Sequence, residues 1–481
     1  MSKNKFYITT TLPYVNADPH IGFALELIQA DVIARHHRQR GAEVMFNTGT
    51  DEHGLKIYRN ALEAGKDPQI YANEYAGRFS ELTKALNVST TLFIRTTDAH
   101  HEKAAQEFWR RCLHNGDIYK KNYKIKYCVG CELEKTDSEL VKGYCPIHPN
   151  LQLETIEEEN YFFRFSKYQQ PLLELYEEHS DFVLPSFRSQ EIKNFVKQGL
   201  NDFSISRLKL KMPWGIPVPD DQEQVMYVWF DALVNYISTL GWPEDEKTFL
   251  EFWPGVQIAG KDNLRQQSAI WQAMLMSAGL PASKQILIHG FITADGQKIS
   301  KSLGNVIDPF EVVQKNGADV VRYYLLREIP SGDDGDFSHK NLESRYNSDL
   351  ANGLGNFTAR VLTLAAKETF FEKEKVTEKV EFKIKETKAV VDEKIRQFKL
   401  HEALAHIWEL LAFGDAYVNE TQAWKREDKN VIFSLVTLLD NVAFLLQSFM
   451  PETAEKITKR IVREGNTLTI QPGEILFPRR I

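Results

Sequence analysis

Hydrophobic positions along the chain change their period several times, and the changes mark its organisation. KFYITTTLPY, residues 5 to 14, alternates apolar and polar side chains like a strand, and the stretch ADPHIGFALELIQADV that follows sets Ile21, Leu25, Ile28 and Val32 at helical spacing. Asp18 as N-cap and Pro19 at the first helical position start this helix, and Gly41 stops it after Arg40. Strand, short loop and helix N-terminus in succession are the layout of a nucleotide site in a parallel α/β sheet. ILIHGFI, residues 286 to 292, reads as a second buried strand, with Asp295-Gly296 as a turn behind it. From about residue 346 the period becomes helical. LGNFTARVLTLAAK, ALAHIWELLAFGDAYVNETQ and VIFSLVTLLDNVAFLLQSFM each read as amphipathic or buried helices, together a bundle. The charged run from Lys373 to Lys399 is either the solvated face of that bundle or a contact to a nucleic-acid backbone.

Composition narrows the class. The 481 residues leave room for roughly three domains, and 43% hydrophobic with 26% charged residues is the balance of a soluble globular protein. No apolar run approaches the ~20 residues of a membrane span, and MSKNKFYITT lacks the apolar core of a signal peptide, so a cytoplasmic location without a membrane partner is expected. A net charge of −7 argues against indiscriminate nucleic-acid binding and leaves room for a local basic surface.

Three of the four cysteines fall in YCVGCELEKTDSELVKGYCPIHPN, where Cys128, Cys131, Cys145 and His148 form a C-x2-C-x13-C-x2-H pattern. Two knuckles, each offering ligands three residues apart, suit tetrahedral Zn2+. All four ligands come from protein, so the metal is expected to be structural, one per chain. A disulfide is the weaker alternative in a cytosolic protein. Cys112 stands apart as a buried apolar filler.

His20 is expected in the first turn of its helix, beside free backbone N–H groups and the positive end of the helix dipole, a place for an anion. Gly22 costs helix stability and makes sense where a flat ligand lies against the backbone. By itself this pattern is more often a histidine capping an ordinary helix. Lys298-Ile299-Ser300-Lys301-Ser302, followed by Gly304, sets two lysines among hydroxyls in a loop able to close on a polyphosphate; by itself it is a solvated basic loop.

The two together, HIGF after the first strand and KISKS some 280 residues later, resemble the paired signatures of class I aminoacyl-tRNA synthetases. The resemblance runs along nearly the whole chain and narrows to the methionyl-tRNA synthetases, of the bacterial kind with one zinc knuckle. TLPYVNADPHIG, NTGTDEHG, the cysteine knuckle, YVWFDALVNYIS, IAGKDNLR, HGFITADGQKISKSLGN, REIPSGDDGDFS and NGLGNFTAR stand in that family's order.

This resemblance implies an α/β fold: a Rossmann-like catalytic domain in two pieces, residues 1–115 and 226–325, with a connective insertion at 116–225 carrying the zinc. A stem-contact segment at 326–345 and a helical anticodon-binding domain at 346–481 follow. It implies an ATP-dependent ligase that activates methionine as its adenylate, releasing pyrophosphate, and then transfers it to the 3′ end of tRNA(Met), releasing AMP. His20, Lys298 and Lys301 then carry catalysis, and His20, Gly22, Gly260, Asp262, Lys298 and Lys301 bind ATP with Mg2+. Leu12, Tyr14, Asp51, Trp229, Ala232, Tyr236 and Gln267 line the amino-acid pocket, Asp51 holding the α-ammonium. Trp229, Leu233 and Tyr236 also share one helical face, which leaves a plain core helix open. Asn356, Arg360 and Trp424 read the anticodon by stacking and edge bonding. The absence of an appended oligonucleotide-binding domain leads us to expect a monomer.

The chain departs from the family at Phe23, where the second signature histidine would stand, at Asn263, and at Gln266-Gln267, where Gln267 replaces a histidine near the methionine sulfur. Phenylalanine cannot donate to a phosphate, and such donors are worth ~10²–10³ in rate. Two alternatives follow: a class I paralogue activating another amino acid, and a tRNA-binding protein without catalysis.

Overall fold

The structure is a computed structural model that describes residues 4–135, 137–299, 304–366, 368–371, 374–426, 428–464 and 467–480. The alternating run forms strand β1 (Lys5–Thr9) and ends well before Pro13, which has no N–H for a ladder. With β2 (Glu43–Thr50), β3 (Leu92–Arg95), β4 (Val183–Leu184), β5 (Val256–Gly260) and β6 (Gln285–His289) it makes a six-stranded sheet in the order β3-β2-β1-β5-β6-β4. The pairs β1/β2, β2/β3, β1/β5 and β6/β4 run parallel. All five residues of β5 and four of five in β1 are buried, as both-faced strands of a parallel sheet must be. Strand order reverses at β1/β5. Segments leaving the carboxyl ends there, 10–14, 51–54 and 260–262, are where such a sheet holds ligands.

By its contacts the chain divides into two units, one of residues 1–19, 41–83 and 90–288, the other of 20–40, 84–89 and 289–481. The first holds the sheet and an aromatic core in which Phe108 stacks on Trp271 at 5.6 Å. It also carries an antiparallel sheet of Leu133–Lys135, Ile118–Cys128, Glu154–Phe163 and Phe203–Ser204, whose central hairpin pairs Ile118 with Phe163 through to Tyr127 with Glu154.

In the second unit the helix Ile21–Gln39 ends as expected, with Gly41 at φ 85°. Residues 286–292 are not one strand: β6 stops at His289, and Ile292–Ala294 joins another sheet with Gln297–Lys298 and Gly335–Phe337. Gly290 makes the break, since a Cβ there would lie 2.1 Å from the Asp333 carbonyl. Asp295 and Gly296, at φ 48° and 75°, form the expected turn, the mirror type that suits a two-residue hairpin. The Asp336 carboxylate holds the hairpin by accepting from Thr293 Oγ1 at 2.6 Å and Gly296 N at 2.8 Å.

The bundle comprises the helices Asn356–Ala365, Glu378–Arg396, Leu400–Thr421 and Lys429–Leu446. Val380, Ile384, Thr387, Val391 and Ile395 form one buried stripe on the charged helix, and its other faces carry pairs such as Lys383–Glu386 at 2.7 Å. That is the solvated-face reading of the charged run. One correction concerns apolar length: Lys429–Leu446 is a helix long and apolar enough by composition to cross a membrane, and about half of it is buried within the bundle. The small sheet of Phe370–Phe371, Thr467–Ile470 and Ile461–Glu464 carried no periodic signal, its strands being two to four residues long.

A buried ion pair ties this unit together. Arg322 Nη2 lies 2.7 Å from Asp31 Oδ2, both side chains fully buried, and the guanidinium also donates to the carbonyls of Phe449 at 2.8 Å, Ser448 at 3.0 Å and Leu86 at 3.2 Å. Burial would raise the Asp31 carboxyl, but Arg322, Arg35 and the Ser89 donors hold it below its ordinary 3.8. The stabilisation is therefore present above that value and lost as pH falls through the lower, folded one. Arg322→Met is expected to cost about 3–5 kcal/mol in urea unfolding at pH 7. The deficit should shrink below about pH 4; a deficit independent of pH would contradict the ionic role.

Candidate functional site

Past the end of β1 the backbone of Tyr14 bridges to Asp51, with Asp51 N donating to Pro13 O at 3.0 Å and Val15 N to Asp51 O at 3.2 Å. The Tyr14 ring meets the Trp229 indole edge-on at 6.2 Å. Trp229 and Ala232 lie on the short helix Val228–Leu233, and Tyr236 on Asn235–Ser238 directly after it. Phe230, Leu233 and Val234 of this segment enter the aromatic core, whereas Trp229 packs instead with Tyr14, Tyr127, Tyr227 and Val228. The shared face read from the sequence is thus split: Leu233 and Tyr236 join the core, and Trp229 packs in the second cluster. Leu12 is half-buried.

The pocket's electrostatics are unusual. Asp51 is buried, and its Oδ1 has no hydrogen-bond partner among the described residues; neither have Tyr14 OH and Trp229 Nε1. Burial, then the Asp231 and Glu132 charges, push the Asp51 carboxyl well above the usual aspartate range. Its neighbours are paired. Glu52 receives Arg95 through Nε at 2.7 Å and Nη2 at 2.8 Å, and Asp231 Oδ2 lies 3.1 Å from His53 Nδ1. Burial would lower the His53 imidazolium, but the Asp231 carboxylate raises it. A buried acid with one oxygen unpartnered, close to aromatic rings, can take an ammonium group with an apolar tail.

Gln267 sits in a wide π-helical turn, Gln266–Ile270, a feature frequent at functional sites. Its Nε2 donates to Tyr236 OH at 2.7 Å and its Oε1 accepts from Gln257 Nε2 at 3.0 Å. The amide expected to face a ligand's sulfur is thus engaged with Tyr236, whose own O–H proton is left to point elsewhere. Gly260 closes β5 and Asp262 is exposed in the single 3-10 turn Lys261–Asn263 that follows.

The four metal-ligand candidates come together. Cys131 N donates to Cys128 O and His148 N to Cys145 O, both at 3.2 Å, which makes two matched knuckle turns. The three sulfurs and a ring nitrogen of His148 all lie within 4.8 Å of one another. This donor set and spacing fit tetrahedral Zn2+ with no open position. Gly130 gives His148 its place: a Cβ there would meet the ring at 2.7 Å. Cys112 is fully buried, its thiol pushed up to about 12 by burial, an inert filler as expected.

In the second unit, Asp18 does not cap the first helix, because its carboxylate is held by Arg78 within the first unit. His20 is the N-cap itself, Nδ1 accepting from Gly22 N at 3.1 Å. A Cβ on Gly22 would lie 3.0 Å from that ring, so this glycine seats the imidazole. Ile21 N donates to Ile307 O at 3.3 Å, which brings the first signature to the chain just after the second. Phe23 is buried. Lys298 ends the hairpin strand, and Lys301 lies outside the described residues. Asn356 is exposed at the start of its helix; one turn on, Arg360 lies 5.5 Å over the half-exposed Trp424 ring. Nη2 of Arg360 donates to Asn419 Oδ1 at 2.6 Å and Nη1 to Asp415 Oδ1 at 3.3 Å.

Sequence reasoning missed His53, Asp231, Asp415 and Asn419. The first two stand in the quoted GTDEHG and YVWFDA motifs; the second two carried no signal beyond lying on a predicted helix.

Residues 6–154 and 147–362 match the model of a family described as tRNA synthetases class I (M). The chain is 45% identical over 477 residues to a methionine--tRNA ligase of Thermotoga maritima, covering 95% of this chain and 75% of the relative. A methionine--tRNA ligase of Thermosynechococcus vestitus is 44% identical, with 94% and 89% covered. Among solved structures, Mycobacterium tuberculosis methionyl-tRNA synthetase in complex with methionyl-adenylate superposes with a TM-score of 0.94 at 36% identity, covering 99% of this chain and all of that one.

Elemental analysis of the purified protein is expected to find one zinc per chain. Gly130→Ala should lower that content as Cys145→Ala does, because the added methyl displaces the His148 ring; full zinc occupancy in Gly130→Ala would show that the ring is not a ligand.

Proposed function

The chain belongs to the methionyl-tRNA synthetases, a branch of the class I aminoacyl-tRNA synthetases, and on that premise we propose which of its residues carry the reaction. Its activity is that of a methionine--tRNA ligase, with ATP, methionine and tRNA as substrates. The observation that carries the assignment of the amino-acid site is the buried Asp51 Oδ1, which has no hydrogen-bond partner among the described residues, with Tyr14 OH and Trp229 Nε1 unpartnered as well.

In this reading Asp51 takes the α-ammonium of methionine, which supplies the positive charge its surroundings lack. Leu12, Tyr14, Trp229, Ala232 and Tyr236 wall the thioether, a polarizable group that suits aromatic edges. Gln267 holds the Tyr236 hydroxyl in place through the observed 2.7 Å bond and so supports that part of the wall.

In the first step the methionine carboxylate attacks the α-phosphorus; a P–O bond to it forms as the bond to the bridging oxygen breaks, and pyrophosphate leaves. His20 acts here as a donor of known tautomer. Its Nδ1 accepts the Gly22 N–H, so a neutral ring carries its proton on Nε2 and offers it to the phosphates. Lys298 and Lys301 neutralise charge on the leaving triphosphate oxygens, Gly22 and Gly260 let the nucleotide approach, and Asp262 accepts from the ribose hydroxyls. Mg2+ enters with ATP as a counter-charge on its phosphates. In the second step a hydroxyl of the terminal tRNA adenosine attacks the adenylate carbonyl and AMP leaves. Cys128, Cys131, Cys145 and His148 hold zinc for structure alone.

The Arg360–Trp424 pair with Asn356 reads the anticodon, the indole stacking on an unpaired base while Arg360 and Asn356 bond its edge. The domain limits 1–115, 116–225, 226–325, 326–345 and 346–481 divide these tasks, and the enzyme works as a cytoplasmic monomer.

Asp51→Asn should lower methionine-dependent ATP–pyrophosphate exchange by ~10²-fold or more, without lowering the midpoint of thermal unfolding, because it removes a buried acid whose ionisation costs stability at neutral pH. In the unmutated enzyme ammonium binding must expel a proton from Asp51, so the methionine KM should rise as pH falls through the raised pKa. A KM flat across that range, together with normal exchange by Asp51→Asn, would move the ammonium site elsewhere.

A further inference from the structure

Glu132 follows directly on the metal-ligand candidate Cys131 and occupies the left-handed region, at φ 53°, which favours glycine over a branched or long side chain. It is nonetheless 2% exposed. Its bonds leave the knuckle in three directions. Oε1 accepts from Lys56 N at 2.6 Å, Oε2 from Tyr127 OH, and its carbonyl from Tyr227 OH.

Each partner belongs to a wall of the amino-acid pocket or of the knuckle. Lys56 N is in the first turn of the helix Leu55–Glu63, whose N-cap is Gly54, a residue without a capping side chain. Glu132 supplies the missing acceptor from another part of the chain. A Cβ on Gly54 would lie 3.2 Å from its Oε1, so the carboxylate lies against the turn that leads back to Asp51. Tyr227 caps the helix that carries Trp229 and Ala232, and Tyr127 precedes Cys128. The Arg207 guanidinium, itself buried, lies 4.5 Å over the Tyr227 ring and 5.2 Å over Tyr127, and Tyr127, Tyr227, Tyr14 and Trp229 share one apolar cluster.

We propose that Glu132 is a positioning residue that straps the zinc knuckle to the methionine pocket, so that methionine binding depends on an intact knuckle. The inference rests on the pocket assignment given above. The Glu132 carboxylate reaches Lys56 and Tyr127, and its carbonyl reaches Tyr227, only while the Cys128–Cys131 turn holds its backbone in place, and that turn is held by its metal. When the turn opens, the Leu55–Glu63 helix loses its acceptor and the Tyr227 hydroxyl loses its own; the segments bearing Asp51 and Trp229 then lose their shared support.

The test measures methionine binding directly, by tryptophan fluorescence and equilibrium dialysis on zinc-loaded protein, beside the exchange kinetics. Glu132→Ala should raise the methionine Kd about tenfold, a typical loss for a support one shell out, with zinc content kept and the ATP KM within about twofold. Chelation should weaken methionine binding of the unmutated protein about tenfold and that of Glu132→Ala by a clearly smaller factor, since the carboxylate bonds are already gone and only the Tyr227 bond to the carbonyl of residue 132 is left to lose. Should Glu132→Ala not fold, Tyr227→Phe removes a single strap bond and should raise the methionine Kd by a smaller factor at full zinc content. Unchanged methionine binding in a folded Glu132→Ala, or equal weakening of both proteins by chelation, overturns the strap. Failure of the pocket assignment would show separately, as undiminished methionine binding by Asp51→Asn.

Discussion

Buried negative charge is the constraint around which the substrate-binding unit is arranged. Asp51, Asp231 and Glu132 are all buried, and burial raises each carboxyl above its ordinary range. Leaving three such groups unmet would cost several kcal/mol apiece. Glu132 is met from within by two protein donors, the Lys56 amide and the Tyr127 hydroxyl, and Asp231 by His53 through Oδ2 alone. Oδ1 of Asp231 and Oδ1 of Asp51 have no hydrogen-bond partner among the described residues, and on the proposed assignment it is the Asp51 oxygen, with the equally unpartnered Tyr14 OH and Trp229 Nε1, that meets an ammonium.

That arrangement explains what could be read from the sequence and what could not. The knuckle was legible because metal geometry is local: ligands three residues apart at two turns are a statement about covalent reach, and both turns formed. The hairpin was legible for the same reason, Asp295-Gly296 having few alternatives to a mirror-type turn. Asp18 read as a helix cap and failed because a distant Arg78 competes for its carboxylate, and sequence spacing contains nothing of Arg78's position. His53, Asp231 and Glu132 escaped notice likewise. Each looks like an ordinary polar residue until the fold brings up a distant partner, 178 positions away for His53 and Asp231 and 76 for the Glu132 carboxylate and Lys56.

The split face of the segment 228–238 shows the limit from the other side. Periodicity correctly put Trp229, Leu233 and Tyr236 on a helix, but the helix is two short pieces, and that break decides which ring faces the core and which the ligand. Gln267 sits on a wide turn that aims its amide at the Tyr236 hydroxyl, a bond that spacing along the chain does not reveal.

Phe23 has a similar explanation. In this chain the second signature position is part of the buried face of the Ile21–Gln39 helix, where an imidazole would need a partner away from water. On the proposed mechanism the donor role falls to His20, and the helix start is built to make that donor dependable. Gly22 has no Cβ to push the ring away, its N–H fixes the ring's acceptor nitrogen, and Ile21 N is taken by Ile307 O. One histidine whose tautomer and orientation are set before substrate arrives incurs little reorganisation at the moment of reaction, and preorganisation of that kind is the larger part of what a phosphate donor contributes. The Arg360 guanidinium follows the same logic: Asp415 and Asn419 hold it over Trp424 in advance, so that, on the proposed anticodon role, an unpaired base would meet a platform already in place.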